Sequence, residues 1–366
     1  MPPDLLYQIA LTQIPHIGSA QARVLINHFG DAESIFKAKQ KTLESIESIG
    51  EVRASAVKAF TDFSGAEAEI SFIEKYKITP LFITNPNYPQ RLTRCFDAPA
   101  MLYYRGSADV NSAKIISIIG TRNNTDYGKA ITEKFVEELA AQNVLIISGL
   151  AYGIDAIAHK AALHNQLPTI GVLAHGLDTI YPAQHKNLAK EILASGGGLL
   201  TEFGKETKAD KHNFPRRNRI VAGMADATIV VETAIKGGSM ITAELAHNYN
   251  RDVFAFPGKT TDSKSAGCNF LIAHKRAELL TSANDFIKAM RWEPRKIKPK
   301  AQQELFIDLS KEEKLIVQLL SAKETVHIDE IFLLSGLTSS AVAGAMLSLE
   351  LQNIVSSLPG KLYKLC

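Results

Sequence analysis

Apolar positions outline this chain. Over the first 65 residues they recur at helical spacing, in LLYQIALTQI and again in ARVLINHF, which predicts amphipathic helices. Between about 70 and 290 the pattern changes. LFIT, KIISIIG, VLIISG, TIGVLA, GLLTE, ATIVVE and DVFAFPG are mostly continuous apolar runs, as in strands covered on both faces. Helical stretches such as YGKAITEKFVEELAAQ, GIDAIAHKAALHN and SMITAELAHNY lie between them. Strand–helix alternation predicts an α/β fold with a doubly wound, Rossmann-like, mainly parallel sheet. In such a sheet, ligand loops sit at the carboxyl ends of the strands.

The ends of the chain read differently. Residues 291–303, RWEPRKIKPKAQQ, form a basic, proline-containing linker. Within 304–366, three short amphipathic helices precede IVSSLPGKLYKLC, a hairpin around Pro359-Gly360, so this part is winged-helix-like. Its third helix, about 338–352, has no Lys or Arg, which favours protein contact over base reading. In the all-α N-terminal domain, residues 1–65, IPHIGSAQA and SIESIGEVRASAV each turn at Ile-Gly before a new helix. They resemble helix-hairpin-helix repeats, whose backbone N–H groups can meet phosphate. A small bundle with glycine at its turns fits the same residues.

Bulk properties narrow the classes. A chain of 366 residues, 46% apolar, suits two or three globular domains. The net charge of +3 does not announce a polyanion binder, so any basic surface must be local. Cys95, Cys268 and Cys366 form no CxxC pair, and the histidines form no HExxH. This argues against a disulfide framework and a zinc site, and fits the cytoplasm. The first residues lack signal-peptide character, and no long apolar run suggests a membrane span. PGKT at 257–260 lacks the upstream glycine of a Walker motif, since that position is Val253. No GxGxxG follows the first strand, and no cofactor is expected.

Three predicted strand-end loops combine glycine with small hydroxyl residues. They are Gly120-Thr121-Arg122, Ser148-Gly149 running into Ala-Tyr-Gly153-Ile-Asp155, and Thr233 with Lys236-Gly237-Gly238-Ser239. Glycine lets backbone approach an anion, and a helix start favours negative charge. Each loop alone also reads as a tight, capped βα turn. His185 and Lys186, after Tyr181-Pro182, are expected on the same rim. Asp155 and His159 share a helix face, with Asp155 expected to buttress its loop.

FPRRNRIVAGMAD, residues 214–226, sets Arg216, Arg217 and Arg219 just before an apolar strand. Pro215 suits a helix start, and cations in a first turn oppose the helix dipole. An external phosphate would explain them, with Phe214 offering a stacking face and Lys211 and His212 upstream. Arginines paired internally to Asp226, Glu232 or Glu202, with Phe214 in the core, are the other reading. Arg217 is expected to be the phosphate ligand, Arg216 an adaptable contact and Arg219 a brace.

Several spaced motifs occur in order over residues 117–272: GTRxxxxYG, SGLAxGID, YPxxHxxL, FPxRNRIVAGMAD, VVExxxxGGSxITA, FAxPG and GxNxLI. In these the chain resembles the DNA-processing protein A (DprA/Smf) family. The resemblance implies a non-enzymatic cytoplasmic protein that binds single-stranded DNA without sequence preference. It also implies homodimerisation and loading of the RecA recombinase during natural transformation. It carries strand-contact roles onto Arg122, Lys211, Phe214, Arg217 and Asn218. Gly237 departs from the usual serine of the third loop, beside Gly238 and Ser239. The core is similar also to nucleotide phosphoribohydrolases of the lysine-decarboxylase-like fold. Their PGGxGTxxE is matched here by little beyond Glu244.

Overall fold

The computed structural model describes residues 4–292, 309–323, 325–352 and 354–365. They fall into two compact units, divided between Glu293 and Pro294. From residue 293 on, the expected linker lies outside the described residues.

The first unit opens with α1 (Leu5–Gln13), α2 (Ser19–Phe29), α3 (Ala32–Lys37), α4 (Gln40–Glu44), α5 (Gly50–Ala59) and α6 (Ser64–Tyr76). The two Ile-Gly turns lead into α2 and α5: Gly18 caps α2, and Gly50, at φ +63°, starts α5. Helix α6 runs across the boundary expected near 65–70. The helical core also continues into the sheet, since Ile9, Leu25, Ile49 and Ile73 share one cluster with Phe82, Met101 and Tyr103.

The α/β part follows as β1 (Thr79–Phe82), α7 (Gln90–Thr93), β2 (Met101–Gly106), β3 (Ile115–Ile119), α8 (Asp126–Glu138), β4 (Leu145–Ser148) and α9 (Ile154–His164). Next come β5 (Thr169–Val172), α10 (Lys186–Ala194), β6 (Gly198–Thr201), α11 (Asn213–Met224), β7 (Ala227–Val230) and α12 (Gly238–Asn248). It ends with β8 (Asp252–Ala255), α13 (Ala266–Ala273), β9 (Glu278–Leu279) and α14 (Ala283–Ala289). The strand order is β1-β2-β6-β5-β4-β3-β7-β8-β9. Pairing is parallel from β6 through β9, whereas β2 runs antiparallel to both β1 and β6. Strands β2 and β9 are absent from the sequence reading. MLYYRG carries no alternation or bounding turn pair that marks an edge-side strand, and β9 is only two residues long.

Strand β3 shows why its run is continuously apolar. Ile115 and Ile119 pack with α11 and α12 on one face, and Ile116 and Ile118 pack with α8 and α9 on the other. The chain proceeds outward through β4, β5 and β6, then returns to place β7 on the opposite side of β3. The gap between the β3 and β7 loops is therefore the topological switch point, where open α/β sheets bind ligands.

The second unit contains β10 (Val326–His327), α15 (Lys311–Ser321), α16 (Ile328–Ser335), α17 (Ser339–Leu351), β11 (Val355–Leu358) and β12 (Leu362–Leu365). Ile316, Leu320, Ile331, Val342 and Leu349 form its core against an antiparallel sheet ordered β10-β12-β11. This is a winged helix-turn-helix arrangement, with β10 the strand that sequence reading passed over. Among the described residues, no single helix is long and apolar enough to cross a membrane.

Candidate nucleic-acid interface

A groove of about 590 Å³ opens at the switch point. The loop after β3 supplies Gly120, Thr121 and Arg122, the loop after β4 supplies Gly149 and Ala151, and the loop after β7 supplies Thr233, Gly237, Gly238 and Ser239. Helix α11 lays Phe214, Arg217 and Asn218 along the other wall, with Lys211 in the turn just before it. The predicted loops and the FPRRNR segment thus meet in one place, although more than ninety positions separate Gly120 from Phe214.

The loops brace one another through the backbone. Thr121 N–H donates to the Glu232 carbonyl at 2.7 Å, and Ile154 N–H donates to the Thr121 carbonyl at 3.2 Å. Gly153 sits at φ +75°, and a Cβ there would strike the backbone of Thr121 and Arg122. Buried Glu232 accepts from Thr125 N–H at 2.9 Å and from the Thr125 hydroxyl, tying the start of α8 to the end of β7. The N-terminus of α12, at Gly238, faces the groove with the Ser239 hydroxyl held on Thr233 Oγ1 at 2.7 Å. Such a terminus presents unpaired N–H groups to an anion.

Arg122 is exposed, and its guanidinium lies 5.2 Å from the centroid of the half-buried Phe214 ring. This is a cation–π distance. Lys211 is also exposed on the groove. Phe214 is therefore neither core nor free. It is a half-buried ring on the groove wall, steadied by a cation.

The three arginines have separate tasks, and one expectation is overturned. Arg217 is only 5% exposed. Its Nη1 donates to the Gly149 carbonyl and, at 2.5 Å, to the Val172 carbonyl, while Nε donates to Asn218 Oδ1 at 3.2 Å. Arg217 is thus a brace between α11 and the ends of β4 and β5, not a free phosphate ligand, although it lines the groove floor. Burial lowers its pKa to about 10, so it stays charged at neutral pH. Burial raises the pKa of Asp155 nearby, against the pull of the Arg217 charge. Asp155 accepts from Gly149 and Ala151 N–H at 3.2 and 3.4 Å, the buttress its position predicted.

Arg219 and Arg216 both donate to Glu202 Oε2, Arg216 at 3.2 Å. Arg219 is buried, whereas the Arg216 side chain is 56% exposed and lies over Phe203. Of the three acids considered as partners, only Glu202 takes this role, because Asp226 clamps Arg91 and Glu232 caps α8. Pro215 stands third in α11, where its missing N–H costs nothing, rather than first.

Two further expectations fail. Ser148 is fully buried and donates to the Ile118 carbonyl at 2.6 Å, so it holds β4 to β3 and does not reach the groove. Lys186 starts α10 and lines a separate hollow with Arg105 and Lys190. The preceding His185 turns inward onto the Leu150 carbonyl at 2.9 Å. His159 is also buried, bonded to Thr169 Oγ1 at 2.7 Å, and burial lowers its pKa to about 3. Sequence reasoning missed Tyr152 and Tyr181, exposed rings that line a hollow together with Phe214. Their only signal was an aromatic residue in a strand-end loop. Among the described residues, no cluster of His, Cys, Asp or Glu is arranged to hold a metal.

The chain is similar to known proteins along most of its length. Residues 79–291 match the family model of DNA recombination-mediator protein A, 298–361 that of the DprA winged helix domain, and 9–69 that of the helix-hairpin-helix motif. Protein Smf of Synechocystis is 31% identical over 98% of both chains. DNA processing protein DprA of Streptococcus pneumoniae is 36% identical over 62% of this chain and 84% of its own. The solved structure of the pneumococcal protein superposes with a TM-score of 0.67 at 31% identity, covering 78% of this chain and 97% of that one. DNA processing protein A of Helicobacter pylori, solved for its single-stranded DNA binding mode, gives a TM-score of 0.54 at 32% identity. That match covers 59% of this chain and 96% of the other.

Proposed function

This chain belongs to the DNA recombination-mediator protein A family, and on that premise we propose that it binds single-stranded DNA without sequence preference. The observation that carries this reading is the Arg122–Phe214 pair at the mouth of a glycine-lined groove. A base would stack on the Phe214 ring while its phosphate meets Arg122, Lys211 and the N-terminus of α12. Stacking plus cations serves any base, because every base has a π-face. The contact residues in this reading are Gly120, Thr121, Arg122, Gly149, Lys211, Phe214, Asn218, Gly238 and Ser239, with Arg217 beneath them. Arg216, outside the groove lining, would be an outlying cation for a strand that leaves across α11.

The reading extends to partners. The protein would work in the cytoplasm as a homodimer that protects incoming strands and passes them to the RecA recombinase in transformation or recombination. The family's role as recombination mediator supports this. The protein would act without catalysis. Glu244, the acid a phosphoribohydrolase reading needs, is exposed, lies outside the groove lining and pairs with Arg276 at 3.4 Å. The helical and α/β parts, which share a core, would serve together, with the winged-helix part as a separate module.

A mobility-shift titration with matched single-stranded and duplex oligonucleotides tests the proposal. Preference for the single strand is expected, and duplex preference would refute it. Release of free base from a nucleoside 5′-monophosphate, abolished by Glu244→Ala, would restore the enzyme reading.

A further inference from the structure

Phe214 does not end the groove; it divides it. On its far side lies a second hollow that shares Arg122, Gly149, Ala151, Phe214 and Arg217 with the first. Two more rings border it. Tyr181, 51% exposed, has its ring 6.0 Å from that of Phe214. Tyr152, 41% exposed, packs edge-on to His185 at 5.0 Å, and its hydroxyl donates to Gln184 Oε1 at 2.5 Å. Three rings converging on a half-open hollow leave apolar surface in water, which usually marks a binding site.

We infer that this hollow is a second nucleobase subsite, with Tyr181 as its stacking platform and Tyr152 on its rim. The inference rests on the single-stranded DNA reading and deepens it: consecutive bases would lie on either side of Phe214. The hollow encloses only about 80 Å³, so it would seat one edge of a flat ring rather than bury it. The histidine that lines it is already spent. His175 Nδ1 is bonded to the Gly176 carbonyl at 2.8 Å, and Nε2 accepts from Tyr181 N–H at 3.1 Å. With no free histidine nitrogen to read a base edge, the subsite stacks without selecting. Beyond Tyr181, Ile180 and Ala183 line the hollow that also holds Arg105, Lys186 and Lys190. A strand leaving the subsite would meet cations there.

The experiment is fluorescence anisotropy of the full chain on labelled oligo-dT, compared with oligonucleotides carrying one abasic site at successive positions. Tyr181→Ala should weaken binding to intact oligo-dT by about 5- to 150-fold, the range of one lost base stack. Tyr181→Phe, which keeps the π-face, should bind within about twofold of wild type. At one abasic position the wild type should lose as much, and Tyr181→Ala should add no further loss. Should Tyr181→Ala melt early, Tyr181→Leu keeps bulk without a π-face and carries the same expectation. Unchanged affinity in the folded variant, or additive losses at every abasic position, overturns the subsite. Wild-type protein that fails to bind any single strand overturns the functional reading itself, a separate outcome.

Discussion

The guanidinium of Arg217 lies against the backbone of Gly149, whose carbonyl it also bonds. A Cβ at residue 149 would overlap that guanidinium, so the loop after β4 leaves room for the arginine of α11 only because residue 149 is glycine. Gly149→Ala should therefore cost about 1–3 kcal/mol, as overpacking does. Urea unfolding would measure it, and oligonucleotide binding should fall in parallel, because the displaced arginine carries the groove floor with it.

Arg217 and Arg122 should separate in their effects. Arg217→Ala strips two strand-end carbonyls of their donor and leaves Asp155 without its buried counter-charge, at a cost of about 3 kcal/mol. Arg122→Ala removes an exposed side chain and should change stability by no more than about 0.5 kcal/mol while weakening oligo-dT binding. Thermal melts beside anisotropy titrations distinguish them. Equal destabilisation by both variants would contradict this division.

Phosphate pairing makes affinity depend on salt. The slope of log affinity against log salt should become shallower by about 0.7 for each single-strand phosphate that a variant no longer neutralises. Arg122→Ala and Lys211→Ala should each show that step. Glu244→Gln, away from the groove, should leave the slope unchanged.

Acid should weaken the fold through His159. Its folded pKa of about 3 lies below the unfolded value of 6.5, so the unfolded chain binds more protons between those limits. Stability from this group is complete above pH 6.5 and is lost as pH falls toward 3, at up to about 1.4 kcal/mol per pH unit. Denaturant midpoints for wild type and His159→Gln, measured from pH 7 to 4, should converge as the pH falls.

Much of the groove is legible in the sequence. Gly120, Thr121, Arg122, Gly238 and Ser239 stand out because glycine and hydroxyl residues after an apolar run mark a βα turn, a local signal. Phe214 and Asn218 stand out by their unusual neighbours. Ser148 is misplaced by such reading because a hydroxyl at a strand end can point outward or back to the adjacent strand, and only the β3–β4 pairing decides which. Lys186 is misplaced because the long turn before it bends toward another hollow.

The sequence by itself determined the layers of the fold and the chemistry at its switch point, because apolar runs, helical periods and turn residues act over a few positions. Tertiary structure decided which arginine stays exposed and which braces the groove floor. Arg216 and Arg217 are neighbours in the chain, yet one is exposed and the other buried. The face of α11 that meets the sheet is set by Gly149 and Val172, 68 and 45 positions away. The same long-range packing brought Tyr181 to Phe214, a proximity no local pattern encodes.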